Sequence, residues 1–164
     1  MIFQPSTDSR HIPVMLMESL ENLNIKNSGI YVDGTLGLGG HSEEILKKID
    51  SGLLLGIDRD NGSIELAKKR LSNYKNFKLF HDSYKNLKNI LFKLDITGVD
   101  GILLDLGLSS YQLEDNQRGF SHKHSSELDM RFDNNIDSNK ADDIIKKYDS
   151  KCLTKIFRDF GAER

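Results

Sequence analysis

From residue 30 onward, short apolar runs alternate with longer amphipathic segments, and this alternation is the strongest constraint on the fold. Such a pattern is typical of βαβ units and of a parallel sheet. It predicts strands at 30–33, 53–58, 77–81 and 99–106. The near-continuous apolar content of the second and fourth strands predicts that both of their faces are covered. We therefore expect an α/β protein with a Rossmann-like sheet.

Amphipathic segments before and between the strands predict the helices of this pattern. They lie at 14–23, 40–49, 61–71 and 84–94. The last segment has apolar residues at the spacing of one buried helical stripe: Leu87, Ile90, Leu91 and Leu94. Two further short helices are predicted at 141–148 and 153–160.

The sequence divides where the strand pattern ends, into residues 1–109 and residues 110–164. Residues 107–140 lack a sustained apolar period and predict a long irregular loop, which at this length is usually functional. Four strands make half of a doubly wound sheet, so we expect the chain to be the N-terminal part of a longer protein. Half a sheet would expose an unpaired edge and an apolar face.

The composition restricts the class of protein further. The 164 residues carry a formal net charge of −2, which excludes a polycationic nucleic-acid coat protein but not an enzyme with a local basic face. No apolar run approaches the ~20 residues of a membrane span, and residues 1–10 lack a secretory signal. The single cysteine, Cys152, excludes an internal disulfide. We expect a cytoplasmic protein with no membrane partner.

The segment after the first predicted strand is rich in glycine: Gly34, Gly37, Gly39 and Gly40. Glycines at a strand-to-helix turn let a ligand lie against the backbone. A dinucleotide fingerprint would require glycine in place of Ser42 and would bring a pyrophosphate close to the Asp33 carboxylate. A cationic ligand such as S-adenosylmethionine suits Asp33 better, and the chain has no P-loop motif.

Acidic residues follow the other predicted strands as well. Asp58 lies about 20 residues beyond the glycines, the spacing at which a carboxylate binds ribose hydroxyls, although strand-end aspartates also cap helices, as Asp60 could. After the third strand, Asp82 could contact an adenine edge, and Tyr84 could either stack on the base or pack at a helix start. Asp105 follows the fourth strand, where reacting groups gather in open α/β sheets, or it caps a turn.

Several sequence blocks occur in order along the chain. They are His11-x-Pro13-Val14, Asp33-Gly34-Thr35, Gly37-x-Gly39-Gly40-His41-Ser42, Asp58-Arg59-Asp60, Asp105-Leu106-Gly107, Ser109-Ser110, Gln112-Leu113, Arg118-Gly119-Phe120-Ser121 and Leu128-Asp129-Met130-Arg131. Together they resemble the bacterial 16S ribosomal RNA cytosine-N4-methyltransferase family, over residues 11–164. Tyr111 departs from the family pattern, which often has proline there, and residues 141–146 lack a common asparagine.

The resemblance implies a class I methyltransferase sheet that binds S-adenosylmethionine. The cofactor contacts that it implies are Gly39, Gly40, His41, Asp58, Tyr84, Asp105 and Gln112. The glycine and strand-end patterns add Asp33, Gly37 and Asp82. The implied substrate is the exocyclic amine of a cytidine in the decoding region of the small ribosomal subunit, with 16S ribosomal RNA as partner and no DNA. Residues 110–164 would begin an inserted helical substrate domain.

The expected chemistry requires specific groups near the acceptor. The amine of cytosine is a poor nucleophile, so it must be held in line with the methyl group and must donate hydrogen bonds to an acceptor. Asp105 is the candidate that orients the cofactor or amine, and Ser109, Ser110 or Asp129 are candidates that approach the base.

RNA binding is expected from the second part of the chain. Arg118, Lys123 and Arg131 supply cations, and Phe120 could stack on a base, unless it packs internally and these charges are only solvated. His122 and His124 lack a third ligand, so no metal site is predicted.

Two alternatives remain open at this point, and the sequence leaves the oligomeric state open as well. An NAD-dependent oxidoreductase would share the glycines and Asp58, although Asp33 and Ser42 argue against it. A catalytically impaired fragment would bind a nucleoside without turning it over.

Overall fold

The computed structural model describes residues 13–123, 125–133 and 139–162, apart from the side chain of Ser110. These residues form two compact units that divide between Tyr111 and Gln112. His11 and His124, both named by the sequence patterns, lie outside the described residues. The division of the chain into a cofactor part and an inserted substrate domain stays a prediction.

Four parallel strands form the sheet of the first unit. They are β1 (Ile30–Asp33), β2 (Leu53–Asp58), β3 (Phe77–His81) and β4 (Gly101–Leu103), in the spatial order β3-β2-β1-β4. The chain order reverses between β1 and β4, which is the position where open α/β sheets bind ligands. The predicted bounds of the first three strands are confirmed.

Helices cover the sheet as the alternating pattern predicts. They are α1 (Leu16–Leu23), α2 (Gly40–Leu46), α3 (Asn61–Arg70) and α4 (Leu87–Lys93), with a short α5 (Ser110–Glu114) at the boundary of the units. The predicted helix at 84–94 begins as a 3-10 turn, Tyr84–Asn86. The Ser83 hydroxyl accepts from the N–H of Lys85, and the Asp82 carboxylate accepts from the side chain of Asn86. The second unit contains α6 (Ala141–Lys147) and α7 (Ser150–Gly161).

The core of the first unit consists of two apolar layers, one on each face of the sheet. Tyr31 and Leu54 point into the layer that contains residues of α1, α2 and α3. Val32 and Leu55 point into the opposite layer, which α4 closes with Ile90. Successive side chains of a strand point to opposite faces, so β1 and β2 contribute to both layers. The α/β, doubly wound arrangement is thus confirmed.

The prediction that β4 is long and covered on both faces is wrong. The strand ends at Leu103 because the next free amide, that of Asp105, donates to the side chain of Thr35 instead of to a strand partner. Leu103 is buried, whereas Ile102 and Leu104, which alternate with it, are 48% and 46% exposed. β4 lies at an edge of the described sheet. Apolar composition alone could not predict that only one face of this strand is packed.

We expect Leu54→Ala to lower the free energy of unfolding by about 2–5 kcal/mol, because the side chain is fully buried in β2 and its removal leaves a cavity. Leu106→Ala removes the same atoms at a position that is 69% exposed and should change the stability by less than about 0.5 kcal/mol. Urea unfolding measures both variants. Equal losses would contradict the assigned core.

Candidate functional site

The candidate site is built around residues 34–40, here called the glycine turn, which connect β1 to α2. Gly37 and Gly39 have φ angles of 51° and 77°, in the left-handed region that favours glycine. A Cβ atom at Gly39 would also lie 3.3 Å from the side chain of Ala67. At Gly37 the nearest such neighbour would be a backbone oxygen at 3.9 Å, so the turn leaves room above this residue.

Asp33 lies beneath the glycine turn and is only 1% exposed. The hydroxyl of Ser42 donates to Asp33 Oδ2 at 2.7 Å, and the backbone N–H of Thr35 donates to Oδ1 at 3.2 Å. Burial raises the pKa of this carboxyl to about 6, against the lowering effect of the two hydrogen bonds. Asp33 is therefore an internal carboxylate that can act on a ligand through its charge, rather than one that a ligand touches directly.

Asp58 holds the glycine turn from the neighbouring strand. Its Oδ2 accepts a hydrogen bond from the N–H of Gly37 at 2.7 Å, and its Oδ1 accepts one from the N–H of Asp60 at 2.9 Å. Burial also raises the pKa of this half-buried carboxyl. Each carboxylate oxygen can accept a further bond, so Asp58 retains capacity for ribose hydroxyls. Asp60 caps α3 through a bond from Gly62, so helix capping does not require Asp58.

The end of β4 is tied to the same turn. The N–H of Gly34 donates to the carbonyl of Leu103 at 2.9 Å, and the N–H of Asp105 donates to Thr35 Oγ1 at 2.7 Å. The Asp105 side chain itself is exposed beside the turn. Thr35 thereby fixes the backbone that carries the predicted catalytic carboxylate.

The residues predicted to contact an adenine lie at the end of β3. Tyr84 is 38% exposed, and a Cβ atom at Gly34 would come within 3.2 Å of the Tyr84 Cβ atom. The aromatic side chain thus starts directly beside the glycine turn and retains an exposed surface. Asp82 Oδ1 accepts hydrogen bonds from the Ser83 N–H and from Asn86 Nδ2, both at 2.7 Å, so this oxygen shapes the 3-10 turn.

His41 and Gly40 contact the segment that precedes α1 as well as forming part of the turn and the start of α2. The His41 ring is 7% exposed, and its Nε2 atom lies 3.2 Å from the carbonyl oxygen of Val14. A Cβ atom at Gly40 would lie 2.5 Å from Pro13. Any ligand contact of these two residues would therefore use their backbone atoms.

The structure brings together Asp33, Gly37, Gly39, Asp58, Tyr84 and the backbone of Asp105 at one end of the sheet. Ser109 is half-buried in the first unit. Gln112 is 3% exposed and belongs to the second unit, so its cofactor role stays a prediction. Sequence patterns did not single out Thr35 or Ser42 as anchors, because nothing in residue type or spacing reports which side chain reaches Asp33 or Asp105.

In the second unit, two of the predicted RNA-binding cations are engaged internally. Arg118 is 7% exposed, and its Nη2 atom donates to the carbonyls of Arg131 at 3.1 Å and Phe132 at 2.7 Å. Arg131 forms a two-point ion pair with Asp129, with N–O distances of 2.8 and 2.7 Å. Asp129 is itself 6% exposed, and this pairing lowers its pKa. These side chains therefore hold residues of their own segment together, and their predicted contact with RNA stays a prediction.

Phe120 and Lys123 differ in their surroundings. The Phe120 ring packs against Phe132 at a centroid distance of 5.6 Å and also lines an open cavity of about 370 Å³. The other lining residues of this cavity are Gly119, Ser121, His122, Ser126 and Leu128. Lys123 is exposed. Phe120 is therefore packed in part against its own unit, which was the alternative to base stacking.

A parallel sheet with a glycine turn at its switch point and carboxylates at its strand ends defines a Rossmann-like architecture. The chain belongs to the MraW methylase family, whose sequence profile matches residues 8–164. This confirms the resemblance drawn from the sequence blocks and, for the family, the predicted cofactor class, S-adenosylmethionine. The NAD-dependent alternative is wrong.

Curated relatives agree with this membership. The ribosomal RNA small subunit methyltransferase H of Clostridium botulinum (strain Loch Maree, type A3) is 47% identical over 156 residues. The protein of the same name from Halothermothrix orenii (strain H 168) is 48% identical over 155 residues. Each alignment covers 94% of this chain and 50% of the relative. The chain therefore spans about half the length of the curated relatives it matches.

Solved structures share the fold. An inferred rRNA-methylase from Clostridium thermocellum superposes with a TM-score of 0.53 at 22% identity, covering 58% of this chain and 53% of that one. NSun6 from Pyrococcus horikoshii gives a TM-score of 0.50 at 22% identity, covering 61% and 25%. At this identity the likeness concerns the fold, and it confirms the predicted Rossmann-like class.

Within 13–123, 125–133 and 139–162, no helix is long and apolar enough to cross a membrane. The same part of the chain contains no cluster of three or more His, Cys, Asp or Glu side chains that could bind a metal ion.

The raised pKa of Asp33 predicts how stability depends on pH. Because the folded chain binds this proton more tightly than the unfolded chain, the free energy of unfolding should fall as the pH rises from about 4 to about 6. The ionised carboxylate costs about 3 kcal/mol, so Asp33→Asn should flatten this dependence and raise stability at pH 7. Urea unfolding at several pH values measures the effect.

Asp100→Asn is the matched control with the opposite sign. The N–H of Ile30 and the ammonium of Lys26 bond this exposed carboxylate and lower its pKa, so its stabilising contribution is present at pH 7 and disappears on acidification. The variant should lose stability at pH 7 only. If Asp33→Asn retained the slope of the parent chain, the assigned burial of Asp33 would be wrong.

We expect Arg118→Met to loosen residues 118–132, because it removes the guanidinium that bonds two carbonyls and costs about 2 kcal/mol locally. Amide hydrogen exchange across this segment should become faster. Lys123→Met removes an exposed cation and should leave the exchange unchanged. Unchanged exchange in Arg118→Met would instead favour a surface role for this arginine.

Proposed function

We propose that this chain binds S-adenosylmethionine at the glycine turn and takes part in methylating small-subunit ribosomal RNA. The acceptor that we propose is the N4 amine of a cytidine in 16S ribosomal RNA. One observation supports the cofactor site: the Asp58 carboxylate accepts a hydrogen bond from the Gly37 N–H within the glycine turn and still has acceptor capacity. The proposal extends beyond the described chain, because the relatives are about twice as long.

The residues present fit S-adenosylmethionine in charge and in hydrogen-bonding capacity. The cofactor carries a sulfonium and an ammonium group, and the turn lies between the carboxylates of Asp33 and Asp58. Opposite charges attract strongly where water is partly excluded. Asp58 would bind the ribose hydroxyls, and Tyr84 would offer an aromatic face to the adenine, with Asp82 near its edge. When bound, the sulfonium group supplies the electrophilic methyl carbon.

The chemistry assigned to the chain is orientation and hydrogen bonding. The N4 lone pair of cytosine is delocalised into its ring, so the amine must be held in line with the methyl carbon. An acceptor must also bond the amine hydrogens as the nitrogen becomes tetrahedral. Asp105 is exposed at the switch point and is fixed through Thr35, which makes it our candidate for this role. Ser109 is the next candidate along the same segment.

RNA contacts are proposed for residues on the surface of the second unit. Lys123 is exposed, and the cavity beside Phe120 has hydroxyl and imidazole groups at its rim. Arg118 and Arg131 are engaged internally and would act by shaping this segment. The partner would be the small ribosomal subunit, and the cytoplasmic location that we propose follows from that substrate.

Methyl transfer tests the whole proposal. The chain and a form extended to the length of its relatives are each incubated with small subunits and S-adenosylmethionine carrying a labelled methyl group. Label in N4-methylcytidine supports the proposal, and label in another nucleoside overturns the assigned acceptor. Transfer by the extended form with binding alone by this chain would favour the catalytically impaired fragment, and binding without transfer by both forms would overturn the proposed activity.

We expect Asp58→Asn to weaken S-adenosylmethionine binding about 10- to 100-fold, because hydrogen bonds to a charged acceptor contribute about 1.5–3 kcal/mol. Asp50→Asn makes the same change at an exposed site away from the turn and should leave the affinity unchanged. Isothermal titration calorimetry at roughly neutral pH measures the affinity of both variants. Equal affinities would place the ribose elsewhere.

A further inference from the structure

Ser42 makes a contact that the proposed cofactor contacts do not include. It lies in α2 with 0% exposure, and its hydroxyl donates to Asp33 Oδ2 at 2.7 Å. A neutral hydroxyl that donates to a carboxylate favours the ionised form of that carboxylate. Among the described residues, Ser42 is the side chain that donates a hydrogen bond to Asp33, and the backbone N–H of Thr35 is the other donor.

Without such donors a fully buried carboxylate would take up a proton. Transfer of an unpaired charge into the protein interior is expensive, and the group normally becomes neutral instead. Asp33 is 1% exposed, and its pKa lies at about 6 even with both hydrogen bonds in place. Loss of one donor would therefore raise this pKa further and increase the protonated fraction of Asp33 near neutral pH.

We propose that Ser42 is a positioning residue that acts through Asp33: its hydroxyl keeps that carboxylate anionic beneath the glycine turn, and this buried charge favours a cationic ligand there. The inference rests on the proposed function, because it concerns the same cofactor site. The cationic group could be the sulfonium or the ammonium of S-adenosylmethionine. Only the ammonium is shared with the demethylated product, S-adenosylhomocysteine.

Two other ionisable groups act on Asp33 and enter the design of the test. His41, on α2, lowers the pKa of Asp33, and Asp58, at the end of β2, raises it. Because imidazoles titrate in the same pH range, every profile is repeated in His41→Gln. If the affinity of this variant still falls on acidification, here called the acid limb of the profile, the titrating group is a carboxyl group.

The experiment measures the affinity for S-adenosylmethionine and for S-adenosylhomocysteine between about pH 5 and 8. In Ser42→Ala the acid limb should move upward by roughly one pH unit, the equivalent of one hydrogen bond to a charged group. The affinity of Ser42→Ala should be several-fold weaker than that of the parent chain near about pH 6.5, because the variant lacks this hydrogen bond and more of Asp33 is protonated. At about pH 8 the two affinities should be equal, because Asp33 is ionised in both proteins. A loss for both ligands indicates that the charge of Asp33 attracts the ammonium, and a loss for the methyl donor alone indicates that it attracts the sulfonium.

Two controls separate this effect from a structural one. Ser63→Ala removes another buried serine hydroxyl, one that has no hydrogen-bond partner among the described residues, and should leave the profile in place. In an Asp33→Asn background, Ser42→Ala should cause no further loss, because the charge through which it acts is gone. Carbon-13 NMR of the Asp33 carboxyl follows its titration directly and should show a higher pKa in Ser42→Ala.

Each remaining outcome is decisive. An Asp33 titration that Ser42→Ala does not move would overturn the inference, as would a loss of affinity that is equal at every pH. If the parent chain binds neither ligand at any pH, the proposed cofactor site is wrong and the inference fails with it. Binding by the parent chain with an unmoved profile overturns the inference alone.

Discussion

Burial of a negative charge is the physical constraint on which the glycine turn depends. Asp33 ends β1 inside the protein, and its two oxygens are each matched by a donor, from Ser42 and from the Thr35 backbone. Those donors require the chain to fold back over the carboxylate, which the left-handed glycines allow. Asp58 then fixes the middle of the turn through Gly37. The conformation of the site thus follows from the need to solvate carboxylates with protein groups.

Much of this framework could be predicted from the sequence. The first three strands have the predicted bounds because their apolar runs are short and bounded by turns. The cofactor role of Asp33 stays a prediction, and its burial was not foreseen, since residue type and spacing place a carboxylate at a strand end but do not say which way it points. The roles of Thr35 and Ser42 depend on that direction and were therefore missed.

The second unit shows the same limit for cations. Arg118 and Arg131 lie in a polar segment without apolar periodicity, a context in which exposed charges are the usual expectation. The guanidinium of Arg118 instead bonds carbonyls of its own segment, and Arg131 pairs with Asp129. A planar group with several donors can satisfy buried backbone oxygens in an irregular segment that has no strand or helix to do so. Lys123, which lacks this geometry, remains exposed.

The short edge strand β4 has a consequence for self-association. An edge strand presents unpaired backbone groups that can pair with another chain, and exposed Ile102 would favour such pairing. The strand is only three residues long, and carboxylates flank it on both sides, at Asp100 and Asp105. Two identical edges brought together would place these like charges close to one another, which opposes fibre-like stacking. The carboxylates of Asp100 and Asp105 would therefore oppose pairing between two copies of this strand.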